Sequence, residues 1–540
     1  MTARERPAPD LHDIQGNIIK AYSRLGFPKA RYVFFRVREA AGGRAFVRHL
    51  IPLITTSAPW ARQEGPKSRN AQNRNSTPQL ALNVAVTFEG LRHLGVPQAS
   101  LQTFPAEFAL GMRARREILG DDGPSSPEHW DPIWTEAARV HLFVAINAAD
   151  LPRIERAYEK ILDLMAAAGG VELVAGHRGT GGEAAAPYQD ASALYVDGQP
   201  TAREHFGYVD GISNPFFYGS LQDSSNVIGG GKVTGQDVTS AEGWEPLETG
   251  EFLLGYRDEA GEYPAAPRPG PLAVNGTYLV YRKLHENVAS FDAYLEHVGE
   301  EFPGGPEALA AKFSGRWRNG APLANFPTEA EAEEFAARRE VAQRAIAEAK
   351  SPEQKAAAKR EFATLNTKFV AFDYASDPSG ARCPFGSHTR RVHPRVALEF
   401  GVSGAFERPD ALSNRRRVLR RGLPYGSSGG ERTDSGDHGI IFMALGASIR
   451  RQFEFVQQQW INYGNDFKLG NDKDPLLGNH PTTAKGPQGR MLIESAPDSP
   501  DPPFFCSKLP RFVETRGGDY FFVPSLTALR MLADGLVDPT

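Results

Sequence analysis

Strand-like and helix-like runs alternate along this chain in an order that occurs twice. Residues 31–38 are β-branched and aromatic and read as a strand; RAFVRHLIPLI follows with helical spacing of its apolar positions and a break at Pro52. TPQLALNVAVTF at 77–88 and ARVHLFVAINA at 138–148 are further strand signals, the first leading into a helix at FEGLRHLGV. DLPRIERAYEKILDLMAAAGG predicts a helix, with Asp150 as N-cap and glycines at its end, and VELVAGHRG closes the unit as a strand. The order recurs. GTYLVYRKL at 276–284 precedes the helical ENVASFDAYLEHV, and HGIIFMALG at 438–446 precedes the helical SIRRQFEFVQQQW. GDYFFVPSLTALRMLADG supplies a last strand and helix. This repeat fits two ferredoxin-like α+β units rather than a doubly wound sheet, with units over 1–190 and 191–540. The Glu-, Ala- and Arg-rich stretch 328–363, broken at Pro352, predicts a helical hairpin inserted in the second unit as surface decoration.

Composition excludes several function classes. Lysine plus arginine number 61 against 65 acids, so the net charge of −4 gives no general attraction to nucleic acid. The short basic runs at Arg415–Arg417 and Arg420–Arg421 lack interleaved aromatics and read mostly as solvated faces. Two cysteines, Cys383 and Cys506, build neither a zinc site nor a disulfide framework, so a metal would need N/O ligands or a cofactor. The start MTARERPAPD has no apolar core, and the longest apolar run, IIFMALGASI, is about half a membrane span; both predict a cytoplasmic protein that does not enter membranes. IGGGKV at 228–233 lacks the elements of a phosphate-binding loop and reads as a flexible turn, and neither an HExxH motif nor a Gly-x-Ser-x-Gly elbow occurs.

Three stretches carry chemistry. In RCPFGSHTRRVHPR (382–395), a Cys-Pro break and a small turn place His388 at a structural junction, as a metal ligand, an acid/base or a core residue. In HFGYVDGISNPFF (205–217), Gly207 and Gly211 flank Asp210; they allow close backbone approach to a flat ligand, or a turn in which Asp210 caps its own backbone. In NRRRVLRRGLPYG (414–426), an inward-pointing arginine is a fixed cation, and the alternative is a basic edge strand that discourages sheet pairing.

Together these stretches resemble the dye-decolorizing peroxidase family. GYVDG matches the family's Gly-x-x-Asp-Gly signature, and the likeness extends through DIQGNI (13–18), GEFLLGYRD (250–258), GRWRNGAPL (315–323), FDYASD (372–377), CPFGSHTRR, RRGLPYG, RQFEFVQQQW and GDYFFVPS. The length and the GEFLLGY and GRWRNG segments look like the longer subfamilies. The resemblance implies duplicated ferredoxin-like units of the dimeric α+β barrel type, with one haem b per chain in the C-terminal unit. It implies His388 as the proximal ligand to the iron, Asp210 as the distal acid/base, Arg420 as the distal cation, and Gly211 and Arg395 beside the haem. A carboxylate behind the histidine is also implied; Asp474 is the favoured candidate, with Asp466 and Asp472 close by. His393 departs from the family pattern, in which Asn more often precedes the Pro-Arg pair.

The implied function is a haem peroxidase that reduces hydrogen peroxide to water through a ferryl intermediate while oxidising phenolic, aromatic or dye-like donors, as monomer or homo-oligomer. The alternative is a haem- or porphyrin-binding protein for storage, delivery or iron release, with incidental peroxidase activity. The presence of both Asp210 and Arg420 favours the enzyme, since simple binding needs neither. An aspartate acting as base predicts activity that is best in acid. Family members relay electrons through surface tyrosines or tryptophans, a part for which Tyr425 and Trp460 lie near the motifs.

Overall fold

The computed structural model describes residues 6–60, 78–135, 139–178, 186–220, 227–234, 237–399, 410–427 and 432–537. In the first half, β1 (Lys29–Val37) leads through α1 (Ala40–Leu50) to β2 (Leu80–Val86). β3 (Leu142–Ala148) then leads through α2 (Leu151–Ala168) to β4 (Val171–Leu173), and β5 (Gln189–Ser192) adds to the far side of β1. The second half repeats this course. β6 (Thr277–Glu286) leads through α3 (Val288–Gly299), α4 (Glu329–Glu348), α5 (Pro352–Val370) and α6 (His388–Val392) to β7 (Leu419–Tyr425). β8 (Gly439–Gly446) passes through a helix over 449–461 to β9 (Val513–Val523) and α7 (Leu526–Asp534).

Both halves order their strands alike: β2-β3-β1-β4 in the first and β7-β8-β6-β9 in the second. All pairings are antiparallel, with Val33 opposite Val144 in one half and Val280 opposite both Ala444 and Tyr520 in the other. The predicted α+β repeat is therefore present. The halves do not stand apart, because β9 meets β2 at Phe522 and Val86 and makes one nine-stranded sheet of them.

One core serves both halves. Tyr281 of β6 packs at 5.4 Å from Phe34, 5.8 Å from Phe143 and 5.9 Å from Tyr32, and Phe521 of β9 lies 5.3 Å from Phe143. Aromatic rings bury the largest areas and pair edge to face, which explains why β1, β3, β6 and β9 carry them on the shared inner side. A buried cation adds direction to this contact. Lys283 Nζ of β6 lies 2.9 Å from Asp131 of the first half and 2.7 Å from Asp437. The two carboxylates together compensate the buried ammonium, and removing both would leave it unpaired among the described residues.

The helix over 449–461 is wound as two π segments, Ile449–Glu454 and Val456–Ile461. The strand expected over 171–179 ends at Leu173. Gly176 turns there at φ +124°, and a Cβ would stand 2.8 Å from the Ile133 nitrogen, so the backbone bends to pass this contact.

The hairpin forms as its sequence dictates. Thr328 and Glu331 make a reciprocal N-terminal cap for α4, and Ser351 caps α5 with Pro352 at the first helical position. Its expected role as decoration does not hold. Phe335 and Phe369 are buried against Trp317, Phe372 and Tyr374, in the cluster beneath the site described next.

Candidate functional site

His388 opens α6, and the segment before it is held from several sides. Asp377 accepts the backbone N–H groups of Arg382 and Cys383 at 3.1 and 2.9 Å, and Ser387 Oγ donates to the Lys312 carbonyl at 2.6 Å. His388 Nδ1 meets Asp474 Oδ2 at 2.9 Å, and Asp474 is fully buried. Its other oxygen accepts the N–H groups of Leu476 and Leu477, each at 2.9 Å. Burial works to raise the pKa of Asp474, but the charge and hydrogen bond of His388, then Arg391 and the Leu477 amide, outweigh it and hold the group below the usual carboxylate range. With Nδ1–H donated to a carboxylate, the lone pair of Nε2 is left for a metal.

The competing aspartates are engaged elsewhere. Asp466 accepts Trp460 Nε1 at 3.0 Å, and Asp472 accepts Arg490 Nε at 2.5 Å. Arg391 joins the histidine helix to this segment: its guanidinium is buried and donates to the carbonyls of Gly386, Trp460, Tyr463 and Asp472. The sequence shows Arg390 and Arg391 only as a basic run, yet both are at most 2% exposed.

Asp210 sits on a loop pinned by main-chain bonds. Its N–H donates to the Ala202 carbonyl at 2.7 Å, and the N–H of Val209 to the Arg318 carbonyl at 3.2 Å. Gly211 follows at φ +74°, a conformation that favours glycine, and its N–H turns back to the Asp210 carboxylate. Arg420 of β7 reaches Asp210 Oδ1 at 3.2 Å through Nη1 and the Ile212 carbonyl through Nη2. Its backbone N–H donates to Asn214 Oδ1 at 2.9 Å. Arg421 points to the other side of β7 and donates to the carbonyls of Asn17 and Ile18. Strand alternation thus decides between two adjacent arginines that the motif alone does not separate. β7 is indeed an edge strand in the sheet order, and its Arg420 also serves the loop.

Segments adjoining both groups carry buried positive charge. Arg316, Arg395 and Arg417 are at most 8% exposed, and among the described residues none of them forms an ion pair. Their donors go to carbonyls: Arg316 to Gly320 and Phe369, Arg395 to Phe372, Arg417 to Ser213, Gly230 and Gly231. The Nε of Arg395 is buried with no partner. Burial pushes the pKa of Arg316 down to about 9 and those of Arg395 and Arg417 to about 10. His393 is pushed well below its ordinary value by burial and then by the charges of Arg417, Arg395, Arg420 and Arg316, which places all five groups within electrostatic reach. Such a cluster favours an anionic ligand.

Two sequence expectations are corrected here. Arg417 is not on a solvated face, because its guanidinium is buried against the carbonyls of Gly230 and Gly231. For the same reason 228–233 is a packed cradle rather than a free turn: Gly231 is buried, and a Cβ on it would stand 2.2 Å from the Glu245 carbonyl oxygen. Tyr425 and Trp460, each 1% exposed, offer no surface to a bulky donor.

A family model for the DyP dimeric alpha+beta barrel domain matches residues 13–176. The dye-decolorizing peroxidase of Mycena epipterygia is 28% identical, over 97% of this chain and 87% of its own length. The multifunctional dye peroxidase of Amycolatopsis sp. is 26% identical over 98% and 97%. A point variant of the dye-decolorizing peroxidase from Pleurotus ostreatus superposes with a TM-score of 0.69 at 25% identity, over 98% of this chain and all of its own. Over residues 13–176 the chain matches the DyP domain, and along nearly its whole length it is similar to dye-decolorizing peroxidases.

The buried residues around His388 fit a haem. A porphyrin bearing two propionates is an anion, and the unpaired guanidiniums of Arg316, Arg395 and Arg417 offer it counter-charge. His388, oriented by Asp474, offers an imidazole nitrogen to iron. Of these, Arg316 and Arg417 were not singled out from sequence. Arg316 lies inside the GRWRNG segment and Arg417 in the basic run, so the signal existed without a reason to prefer them.

Proposed function

We propose that the protein is a haem peroxidase acting on hydrogen peroxide and holds one haem b per chain in its second unit, residues 191–540, with His388 as the iron ligand, Asp474 as the carboxylate that orients it, and Gly211 and Arg395 beside the ring. Arg316 and Arg417 complete the cationic cradle. The observation that carries this reading is the fully buried Asp474 bonded to His388 at 2.9 Å, alongside a buried cationic cluster that lacks ion-pair partners among the described residues. Bound haem supplies the redox centre at which peroxide gives up its oxidising equivalents.

The chain's residues handle protons and charge. The Asp210 carboxylate takes the proton from the peroxide oxygen that is to be bound and returns it to the oxygen that leaves as water. Arg420 donates to Asp210 and stabilises negative charge that develops as the O–O bond lengthens. Two electrons then come from donors, which we assign to the phenolic and dye class because the curated relatives are named for dyes.

The direct test is an absorption titration of the purified haem-loaded protein with peroxide. Conversion by one equivalent, reversed on adding a phenol, is the expected result; a haem spectrum indifferent to peroxide overturns the reading. Two substitutions test the cradle and the orienting carboxylate. Asp474→Asn is expected to weaken haem affinity ~10- to 100-fold while the apoprotein stays folded, measured by haem transfer to an acceptor protein. Arg417→Met removes one buried charge facing the propionates and is expected to cost about 2–5 kcal/mol of haem binding. Wild-type haem retention in Arg417→Met would place the propionates elsewhere.

A further inference from the structure

Behind the Asp210 loop lie two buried carboxyls that the peroxide chemistry does not use. Glu204 begins the loop and is 8% exposed; Glu286 ends β6 and is 4% exposed. The loop is folded around the Glu204 side chain, which accepts the N–H groups of Phe206 at 2.8 Å and Tyr208 at 2.7 Å. The Glu204 N–H bonds the Tyr208 carbonyl at 3.1 Å, and the Gly207 N–H the Glu204 carbonyl at 2.9 Å. Glu286 accepts the His205 N–H at 3.2 Å, the amide next to the Phe206 N–H that Glu204 accepts, and lies close enough for the charge of Glu204 to raise its pKa.

Two buried carboxylates in contact need a proton or a cation between them. Among the described residues neither glutamate forms an ion pair. Two guanidiniums face the loop, but their carboxylate partners lie outside it: Arg318 bonds the Phe206 carbonyl and pairs with Glu307 at 3.1 Å, and Arg432 bonds the His205 carbonyl at 3.2 Å and pairs with Asp292. The three histidines beside the loop and β6 do not supply the charge. His205 is pushed down to about 4, and His285 and His438 are also lowered, all chiefly by burial. Tyr208 and Tyr425 are neutral, Arg203 donates to the Gly207 carbonyl at 2.6 Å, and Asp210 adds a further negative charge.

We propose that Glu286 and Glu204 share one proton, Glu286 donating and Glu204 accepting, and that this carboxyl pair is the positioning device that holds the 204–211 loop, and with it Asp210, against Arg420. The proposal rests on Asp210 acting on peroxide, as assigned above. Glu204 is suited to the ionised role because it already accepts two short N–H bonds, and Glu286, with one longer bond, to the protonated one.

The pH dependence follows from the sign of the shift. Burial first, and then the charge of Glu204, raises the pKa of Glu286; burial chiefly, with Asp210 adding, raises that of Glu204. A carboxyl raised in the folded state binds more protons folded than unfolded. The loop is therefore most stable in acid and loses stability as the pH climbs from the ordinary carboxyl range toward the raised values. Losing the shared proton puts adjacent carboxylates in a buried site and releases the loop.

Glu286→Gln replaces the titrating donor by an amide that donates at every pH. In the haem-loaded wild type, the rate of reaction with peroxide is expected to fall as the pH rises well above the ordinary carboxyl range, and the Phe206 and Tyr208 amides to lose protection from hydrogen exchange over the same range. In Glu286→Gln the acid-side rate is kept, the alkaline fall of both readouts moves up or vanishes, and a protonated-carboxyl band is lost from the infrared spectrum. Glu286→Ala, with no donor, is expected to react ~10- to 100-fold more slowly at every pH, because a small misplacement of a reacting group has that cost. An alkaline limb in Glu286→Gln identical to that of the wild type, or no carboxyl band lost, overturns the proposal. Amide protection and the infrared band are read without turnover, so they test the pair even if Asp210→Asn shows the distal assignment to be wrong.

Discussion

His388→Ala is expected to leave a folded protein that no longer retains haem through dialysis or gel filtration. The substitution removes the imidazole whose Nδ1 is bonded to Asp474 and whose other nitrogen is the proposed iron ligand. It also leaves Asp474 fully buried without its main cationic or hydrogen-bonding partner on that oxygen. A buried carboxyl stripped of a partner costs roughly 1–3 kcal/mol. Much of its support remains, since Arg391 and the amides of Leu476 and Leu477 still face it, so the fold survives. The effect on haem should exceed that of Asp474→Asn, which keeps the ligand and disturbs only its orientation. Added imidazole, small enough to occupy the space vacated by the side chain, is expected to restore part of the haem spectrum. Wild-type haem content and spectrum in His388→Ala would move the ligand to another residue.

Asp210→Asn is expected to keep haem at wild-type affinity and to slow the reaction with peroxide by roughly 10²- to 10⁴-fold, the range for losing a positioned acid/base. The two expectations separate because Asp210 lies on the loop that Arg420 reaches from β7, whereas the proposed haem contacts are His388 and the buried arginines. Asparagine retains an oxygen for the Gly211 N–H and for Arg420 Nη1, so loop geometry is preserved and the loss reports on the proton. Stopped-flow mixing of the haem-loaded variant with peroxide, followed at the haem absorption, measures it. Reaction at the wild-type rate would remove Asp210 from the chemistry and leave the loop with a structural part alone.

Much of this site is legible in the sequence because its signals are local. Asp210 stands between glycines, and the second of these adopts a positive φ that a side chain would oppose. His388 follows a Cys-Pro break, and Arg420 precedes a Gly-Leu-Pro-Tyr-Gly run. The strand and helix repeat is likewise written in side-chain periodicity, since a face that is to be buried must be apolar at every second or every third to fourth position. That is enough to establish the α+β class, the duplication, and the caps and break of the inserted hairpin.

Burial of charge is not written that way. Arg417 and Arg316 look like any surface arginine in the sequence, and they become buried cations because carbonyls from residues 213, 230, 231, 320 and 369 converge on them. Glu204 and Glu286 are 82 positions apart (286 − 204) and meet only because the loop before Asp210 folds over the end of β6. Among the three nearby aspartates, Asp474 is distinguished by the hydrogen bond it makes and not by its neighbours in the chain. The sequence by itself determined which residue types were available, where regular structure begins and ends, and that the pattern repeats. Only the tertiary structure decided which charges are removed from water and what faces them, because the energy of a buried charge depends on its surroundings in space, and those surroundings come from segments that local periodicity does not connect.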